Sequence, residues 1–276
     1  MKIATVGKGG SGKTTVAGTL ARILAEDGCK VLAIDGDPNP NLALTLGMAR
    51  EDADGIKNIP ASVIEARDEA DGSRKLYLTL SHQELLAKYA AAAPKGIDLI
   101  LMGKPPEGSA GSGCMCASHR AVRGLISEMS GYGEYTITDM EAGLEHLKRG
   151  TARNVDVMLV IAEPYFRSLE AAGRTFALAR ELAIPHLFAV ANKVRNAEDQ
   201  SAIDEFCAKH GMELIGTVPE EPQFAEAERR GLAPIDHAPD SPGAVAIRAI
   251  AAKLRRLEPR PVAMAHPVAQ PAPARR

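Results

Sequence analysis

Near its start the chain carries the glycine-rich stretch Gly7-Lys8-Gly9-Gly10-Ser11-Gly12-Lys13-Thr14-Thr15. It fits the pattern G-x-x-x-x-G-K-T and lies between an apolar run at 2–6 and a helical pattern at 13–27. In such a loop, backbone N–H groups point at phosphate oxygens, a lysine neutralises the β and γ phosphates, and a threonine hydroxyl is offered to Mg²⁺. The stretch therefore predicts a nucleoside triphosphate site formed by Gly7, Gly9, Gly10, Ser11, Gly12, Lys13, Thr14 and Thr15.

The rest of the chain alternates short apolar runs with longer helical patterns. Strands are predicted near 2–6, 31–35, 98–102, 135–138, 156–162, 186–191 and 213–217. Helices are predicted near 13–27, 117–130, 166–182, 197–209 and 243–257. This order predicts a doubly wound α/β fold, a mostly parallel sheet with helices on both faces. Residues 48–97 show no clear period and are interpreted as a helical or partly irregular excursion.

Composition limits the function classes. The 276 residues are 45% hydrophobic and 4% aromatic, with no Trp and a net charge of -2. We expect one domain over 1–257 and a disordered Pro/Ala-rich tail over 258–276. The charge balance argues against nucleic acid and stable membrane partners. Because the chain opens on a strand pattern and has no long apolar stretch, it is predicted to be cytoplasmic.

Two acidic segments follow predicted strands. Asp37 lies in Ile34-Asp35-Gly36-Asp37-Pro38, and Asp139 begins the segment Asp139-Met140-Glu141-Ala142-Gly143. Ligands bind at the carboxyl edge of such sheets. Asp139 is therefore predicted to hold Mg²⁺ through water together with Thr14, and Asp37 to orient the attacking water. Each carboxylate is also compatible with a plain turn or helix-cap role.

An amide follows the strand near 186–191. Asn192 is predicted to contact the adenine edge, with Pro219 and Glu221 of the loop 218–221 closing the other side of the base. Taken by itself, Asn192 is only a turn former.

The four cysteines include one close pair, Cys114 and Cys116, in the run Gly111-Ser112-Gly113-Cys114-Met115-Cys116. Soft divalent metals usually take four ligands, so one chain supplies half a site and a two-fold dimer could complete it. His119 is a possible further ligand. Nickel, zinc and iron all accept thiolates, and the alternative is that both cysteines are small buried residues of a Gly-rich turn.

With Lys8 ahead of Gly10, the chain resembles the deviant Walker A family of dimeric ATPases, which includes nitrogenase iron protein, the Min and Par positioning ATPases and the arsenite pump ATPase. The resemblance covers roughly 1–257 and includes Glu163-Pro164, Ser168-Leu169 and Asn192-Lys193. It implies that Lys8 reaches the partner's nucleotide in a sandwich homodimer, so that ATP binding and dimerisation are linked. The catalytic set is then Lys8, Lys13, Asp37 and Asp139.

Within that family, the Cys-x-Cys motif, Met102-Gly103-Lys104-Pro105 and the segment from Asp139 to His146 resemble the CooC-type maturation ATPases of carbon monoxide dehydrogenase. The resemblance implies ATP-dependent nickel insertion into that client enzyme, with Ni²⁺ or Zn²⁺ bound at Cys114 and Cys116 and shared across the dimer. The sequence departs from that group in the segment from Glu107 to Gly113, which precedes the motif, and in the tail at 258–276. Two alternatives remain, a MinD/ParA-type positioning ATPase and an iron-sulfur reductase component. The second is disfavoured because no Cys follows Asp139 before Cys207.

Overall fold

The structure is a computed structural model that describes residues 1–68, 72, 74–102, 124–126, 128–129, 132–144, 147 and 152–257. The predicted tail at 258–276 lies outside the described residues. So does most of the predicted helix at 117–130, of which residues 124–126 and 128 are described and are helical.

A central sheet carries the described part of the chain. Its eight strands are β1 (Lys2–Gly7), β2 (Val31–Asp35), β5 (Ala91–Ala93), β6 (Ile97–Leu101), β7 (Tyr135–Asp139), β8 (Val157–Ala162), β9 (His186–Val194) and β10 (Glu213–Pro219). They lie in the order β10-β9-β8-β1-β7-β2-β6-β5. All neighbouring pairs are parallel except β5 with β6. The predicted mostly parallel sheet is confirmed, and β1 lies near its centre.

Nine helices lie wholly within the described residues, six of them between strands and three after β10. They are α1 (Lys13–Glu26), α2 (Leu42–Thr45), α3 (Arg50–Asp54), α4 (His82–Tyr89), α5 (Phe166–Glu181), α6 (Ala197–His210), α7 (Pro222–Arg230), α8 (Pro234–His237) and α9 (Pro242–Leu254). None of the helices in the described part of the chain is long and apolar enough to cross a membrane.

Alternating strand residues cover both faces of the sheet. On β1, Ile3 packs into a cluster with residues of α1 and α9, whereas Ala4 and Val6 belong to a cluster with residues of α5 and α6. Side chains that alternate between two buried faces produce the near-continuous apolar runs seen in the sequence. Each fully buried Leu or Ile stabilises the fold by ~1.5–3 kcal/mol. The two apolar layers therefore fix both sheet faces and direct the strand ends toward a common edge.

The interpretation of residues 48–97 as a helical or irregular excursion is wrong where the chain forms strands. It contains the antiparallel hairpin β3 (Ile64–Asp68) and β4 (Arg74–Leu78), which forms its own two-stranded sheet, and the edge strand β5. The helices α3 and α4, the short 3-10 turns and the irregular residues of this stretch fit the expectation. A five-residue strand with one buried residue, as in β3, gives a weak alternation, and alanine has a low β propensity. Local patterning therefore does not reveal these strands.

Candidate nucleotide site

The loop between β1 and α1 requires glycine at two positions. A Cβ on Gly7 would lie 2.6 Å from the carbonyl oxygen of Ile161 on β8, so a side chain there would push the neighbouring strand away. Gly12 has φ of 89°, in the left-handed region, and a Cβ there would lie 2.3 Å from Nδ2 of Asn192. Both residues let the loop turn tightly from the strand into the helix. The backbone at the start of α1 is thereby brought close to the end of β9.

The two lysines of this loop are placed differently. The Lys13 side chain is 7% exposed, and its Nζ lies 3.4 Å from the carbonyl oxygen of Lys8. The same oxygen accepts a hydrogen bond from the backbone N–H of Ser11 at 3.2 Å. Lys8 itself is exposed. One cation is therefore held within the loop, where phosphate oxygens would be received, and the other faces outward.

Asp139 ends β7 beside the first turn of α1. Its carboxylate accepts hydrogen bonds from the Thr14 hydroxyl at 2.5 Å and from the Thr5 hydroxyl at 3.0 Å. Burial raises the pKa of Asp139 to about 6, although the Thr14 hydrogen bond and the Lys13 charge oppose the rise. Carboxylate and hydroxyl oxygens are the ligands that Mg²⁺ prefers. The Thr14–Asp139 pair thus has the donor chemistry for the predicted magnesium site.

A second buried carboxylate, to which the sequence alone assigned no role, lies on the adjacent strand. Asp35 ends β2 in register with Asp139 and is fully buried. Its two oxygens accept the backbone N–H groups of Asp37 at 3.1 Å and Leu42 at 2.9 Å. Burial and then the nearby Asp139 charge raise the pKa of Asp35 to about 7. Asp35 therefore anchors the loop that carries Asp37 and leads to α2.

Asp37 lies in this same loop after β2, partly exposed. Its carboxylate accepts the backbone N–H of Asn39 at 2.8 Å, which is an Asx-type turn. The predicted role in orienting water stays a prediction.

The end of β9 contacts the loop directly. Nδ2 of Asn192 donates to the carbonyl oxygen of Ser11 at 2.7 Å, and Nζ of Lys193 donates to that of Gly10 at 2.6 Å. Lys193 also pairs with Glu163 at 2.9 Å. The predicted contact of Asn192 with adenine stays a prediction, and sequence reasoning missed the contacts of both side chains with the loop backbone.

The predicted base-side residues follow β10. Pro219 is the last residue of that strand, and Glu221 is the N-cap of α7. The Glu221 carboxylate accepts the backbone N–H groups of Gln223 at 3.2 Å and Gly243 at 3.3 Å. These contacts fix the loop at 218–221 between α7 and α9, and the role of both residues in nucleotide binding stays a prediction.

Cys114, Cys116 and His119 lie outside the described residues. Among the residues that the structure does describe, no group of three or more His, Cys, Asp or Glu side chains could hold a metal ion. Cys29 and Cys207 are free thiols, the latter buried on α6.

A parallel sheet with a glycine-rich loop, a buried lysine and a hydroxyl–carboxylate pair at its carboxyl edge defines a P-loop nucleoside triphosphatase. The CobQ/CobB/MinD/ParA nucleotide binding domain family, CbiA, matches residues 2–235. The chain belongs to this family, and it is a nucleotide-binding ATPase.

Individual relatives agree with this assignment. The chain is 35% identical to carbon monoxide dehydrogenase accessory protein CooC of Rhodospirillum rubrum, over 87% of this chain and 91% of that protein. It is 37% identical to an uncharacterized ATP-binding protein of Methanocaldococcus jannaschii, over 84% of this chain and 89% of that protein. The septum site-determining protein MinD of Pyrococcus horikoshii, solved in complex with Mg-ADP, has the same fold. Its TM-score is 0.68 at 22% identity, covering 92% of this chain and 96% of that chain.

Proposed function

We propose that the protein is a Mg²⁺-dependent, dimeric ATPase that matures a metal cofactor, and that its reaction is coupled to nickel insertion into carbon monoxide dehydrogenase. The observation that carries the proposal is the 35% identity to CooC over 87% of the chain. The Cys114-Met115-Cys116 motif adds a thiolate pair suited to a soft metal cargo.

The site residues divide the work of phosphoryl transfer. Lys13 neutralises the β and γ phosphates, and Thr14 and Asp139 hold Mg²⁺. Asp37 orients the attacking water, while Asn192, Pro219 and Glu221 surround the base. The 2.5 Å hydrogen bond between Thr14 and Asp139 supports the shared magnesium role because it already places both oxygens side by side.

The outward-facing Lys8 supports a dimeric mechanism. A lysine in a phosphate-binding loop that stays exposed while Lys13 is buried is available to a second molecule. In the proposed dimer Lys8 contributes charge to the partner's nucleotide, and this charge-assisted contact exists only when two copies close around ATP. ATP then drives dimerisation, and hydrolysis releases it.

The packing of α9 supports maturation over membrane positioning. A membrane-targeting helix needs a free apolar face beside a basic one. In α9 the apolar side chains of Ile247, Ile250 and Leu254 are buried in the core. Arg248 pairs with Glu26 at 3.2 Å. The apolar face of α9 is thus used by the fold itself.

Metal content after anaerobic nickel loading tests the cargo site. We expect about half a nickel ion per subunit, because two thiolates from each of two chains complete one four-ligand site. The Cys114→Ser/Cys116→Ser double variant loses this metal and still binds ATP. Cys29→Ser, which removes a thiol far along the chain from the motif, is the matched control and keeps the metal. Equal nickel content in the wild type and the double variant would contradict the maturation proposal.

A further inference from the structure

The end of β9 holds an irregularity beside the nucleotide loop. Asn192 pairs with Val218 and Val194 with Pro219, so that Lys193 is an extra residue on β9 with no partner in the register with β10. Its φ is 58°, in the left-handed region that a lysine rarely adopts. This geometry is a β-bulge, which re-aims a side chain.

The bulge turns two consecutive side chains toward the same loop. On a regular strand, neighbouring side chains point to opposite faces of the sheet. Here Asn192 donates to the Ser11 carbonyl at 2.7 Å and Lys193 to the Gly10 carbonyl at 2.6 Å. The strained backbone at Lys193 thus accompanies the contact of its side chain with the Gly10 carbonyl. Strain of this kind persists only where the surroundings hold it, and it concentrates at functional sites.

The ammonium group of Lys193 also joins the loop to β8. It pairs with Glu163 at 2.9 Å, and the Glu163 side chain is only 10% exposed. The backbone N–H of Glu163 donates to the Ser168 hydroxyl at 3.0 Å, which links the pair to the first turn of α5. A glycine-rich loop has high conformational entropy when it is not held. Lys193 therefore connects the most adaptable segment of the site to two fixed elements.

We propose that Lys193 is a positioning residue that holds the phosphate-binding loop in its nucleotide-receiving shape before ATP arrives. Its ammonium is bonded to the Gly10 carbonyl and to Glu163, so the role assigned to it is to hold the loop. The role lies in preorganisation: a loop already ordered loses less entropy when the triphosphate binds. The inference rests on the proposed assignment of the loop at 7–15 as the ATP site.

The test measures ATP affinity by calorimetry and steady-state hydrolysis with Mg²⁺ on the full chain. Lys193→Met keeps the length of the side chain and removes the charge. We expect its Kd and KM for ATP to rise about tenfold, the equivalent of ~1.4 kcal/mol, as for loss of one charge-assisted contact. The kcat stays within about twofold, because the contact acts before chemistry. A purely structural role would lower the melting temperature and leave KM unchanged.

Three further variants distinguish the effect of the Lys193 ammonium group from the effects of backbone strain and of neighbouring charges. Lys193→Gly relieves the backbone strain and should raise KM as Lys193→Met does. Lys193→Arg restores a donor and should recover most of the affinity. Arg195→Ala is the matched control, because Arg195 lies on the same segment and pairs with Asp199 instead of the loop. Its Kd for ATP should equal that of the wild type.

A wild-type KM in Lys193→Met, or in Lys193→Gly alone, overturns the inference. Should Lys193→Met fold poorly, Glu163→Gln replaces it: loss of the carboxylate charge weakens the hold on Lys193, so a KM above the wild-type value supports the inference and an unchanged one overturns it. Lys13→Ala tests the underlying assignment separately. If Lys13→Ala still binds ATP, the loop at 7–15 is not the ATP site. If Lys13→Ala loses ATP binding while Lys193→Met keeps the wild-type KM, only the positioning role of Lys193 is refuted.

Discussion

The pKa values of two carboxylates that end neighbouring strands, Asp35 and Asp139, predict how the stability of the protein depends on pH. Burial raises both pKa values, to about 7 for Asp35 and about 6 for Asp139. Unfolded aspartate has a pKa of about 3.9. The folded state therefore binds protons more tightly than the unfolded state, and this contribution to stability is present below about pH 4 and is lost as the pH rises through about 7.

The nucleotide-free protein should consequently lose thermal stability between about pH 5 and pH 8. In Asp35→Asn the side chain at position 35 stays neutral throughout, so the difference in melting temperature between these two pH values shrinks, whatever its absolute value. Asp204→Asn, a change on the surface of α6, leaves the difference as in the wild type. The assignment of the titration to Asp35 fails if its variant shows the wild-type pH dependence in a thermal melt.

Gly12 offers a second test at the residue scale. In Gly12→Ala the new Cβ meets the Asn192 amide at 2.3 Å and the φ of 89° is strained. Gly28 has a nearly equal φ of 85° with nothing within 4 Å of its Cβ position, so Gly28→Ala reports the backbone strain alone. We expect Gly12→Ala to lower the free energy of unfolding by ~1–3 kcal/mol more than Gly28→Ala, as overpacking does. Only Gly12→Ala should weaken ATP binding. Equal losses of stability in urea unfolding would show that the loop and β9 are not packed as described.

At the scale of elements, an ion pair joins α1 to α8. The Arg22 guanidinium is 1% exposed and contacts both carboxylate oxygens of Asp236, at 2.5 and 2.9 Å, besides the Leu46 carbonyl oxygen. Asp236→Ala removes the nearer counter-ion of this buried charge and leaves Arg22 with Glu26, at 3.8 Å. Since Asp236 is 48% exposed, the free energy of unfolding should fall by ~3 kcal/mol, the lower end of the range for breaking a buried ion pair.

The double variant Arg22→Met/Asp236→Ala should recover much of this loss, because methionine fills the apolar space without a charge. Urea unfolding of the single and double variants measures both effects. If the double variant is less stable than Asp236→Ala, the buried charge left without its nearer counter-ion is not the cause of the loss.

The sequence predicts the elements whose patterns are local and misses those that depend on distant partners. The seven parallel strands are confirmed within a few residues. Apolar runs such as those of β2 and β8, which are buried along their whole length, are local signals that the sequence shows directly. The hairpin of β3 and β4 was missed because, in the part of the chain that the structure describes, its strands pair only with each other, and Ile64 alone is buried in β3. The contact of Thr14 with Asp139 could be predicted because both residues lie at the carboxyl edge of a parallel sheet. The direction of the Lys193 side chain depends on a β-bulge, which no residue pattern reveals.

At the scale of the whole molecule, ATP should control the oligomeric state. In the presence of a non-hydrolysable ATP analogue the wild type is expected to elute as a dimer in size-exclusion chromatography, and Lys8→Ala as a monomer that still binds the analogue. The reason is that, in the proposed dimer, the exposed Lys8 would contact phosphate only when the two copies close. Lys30→Ala, a change of another exposed lysine, is the control and should dimerise normally. A wild type that stays monomeric with the analogue contradicts the dimeric mechanism.

The most direct test of the maturation proposal is the ATP-dependent activation of nickel-free carbon monoxide dehydrogenase. Purified client enzyme is incubated anaerobically with the nickel-loaded protein and Mg-ATP, and the recovery of carbon monoxide oxidation is measured. We expect recovery with the wild type, and none above the nickel-only background with Lys13→Ala or with Cys114→Ser/Cys116→Ser. Equal recovery with the wild type and the double cysteine variant, or none with any form, would contradict the maturation proposal.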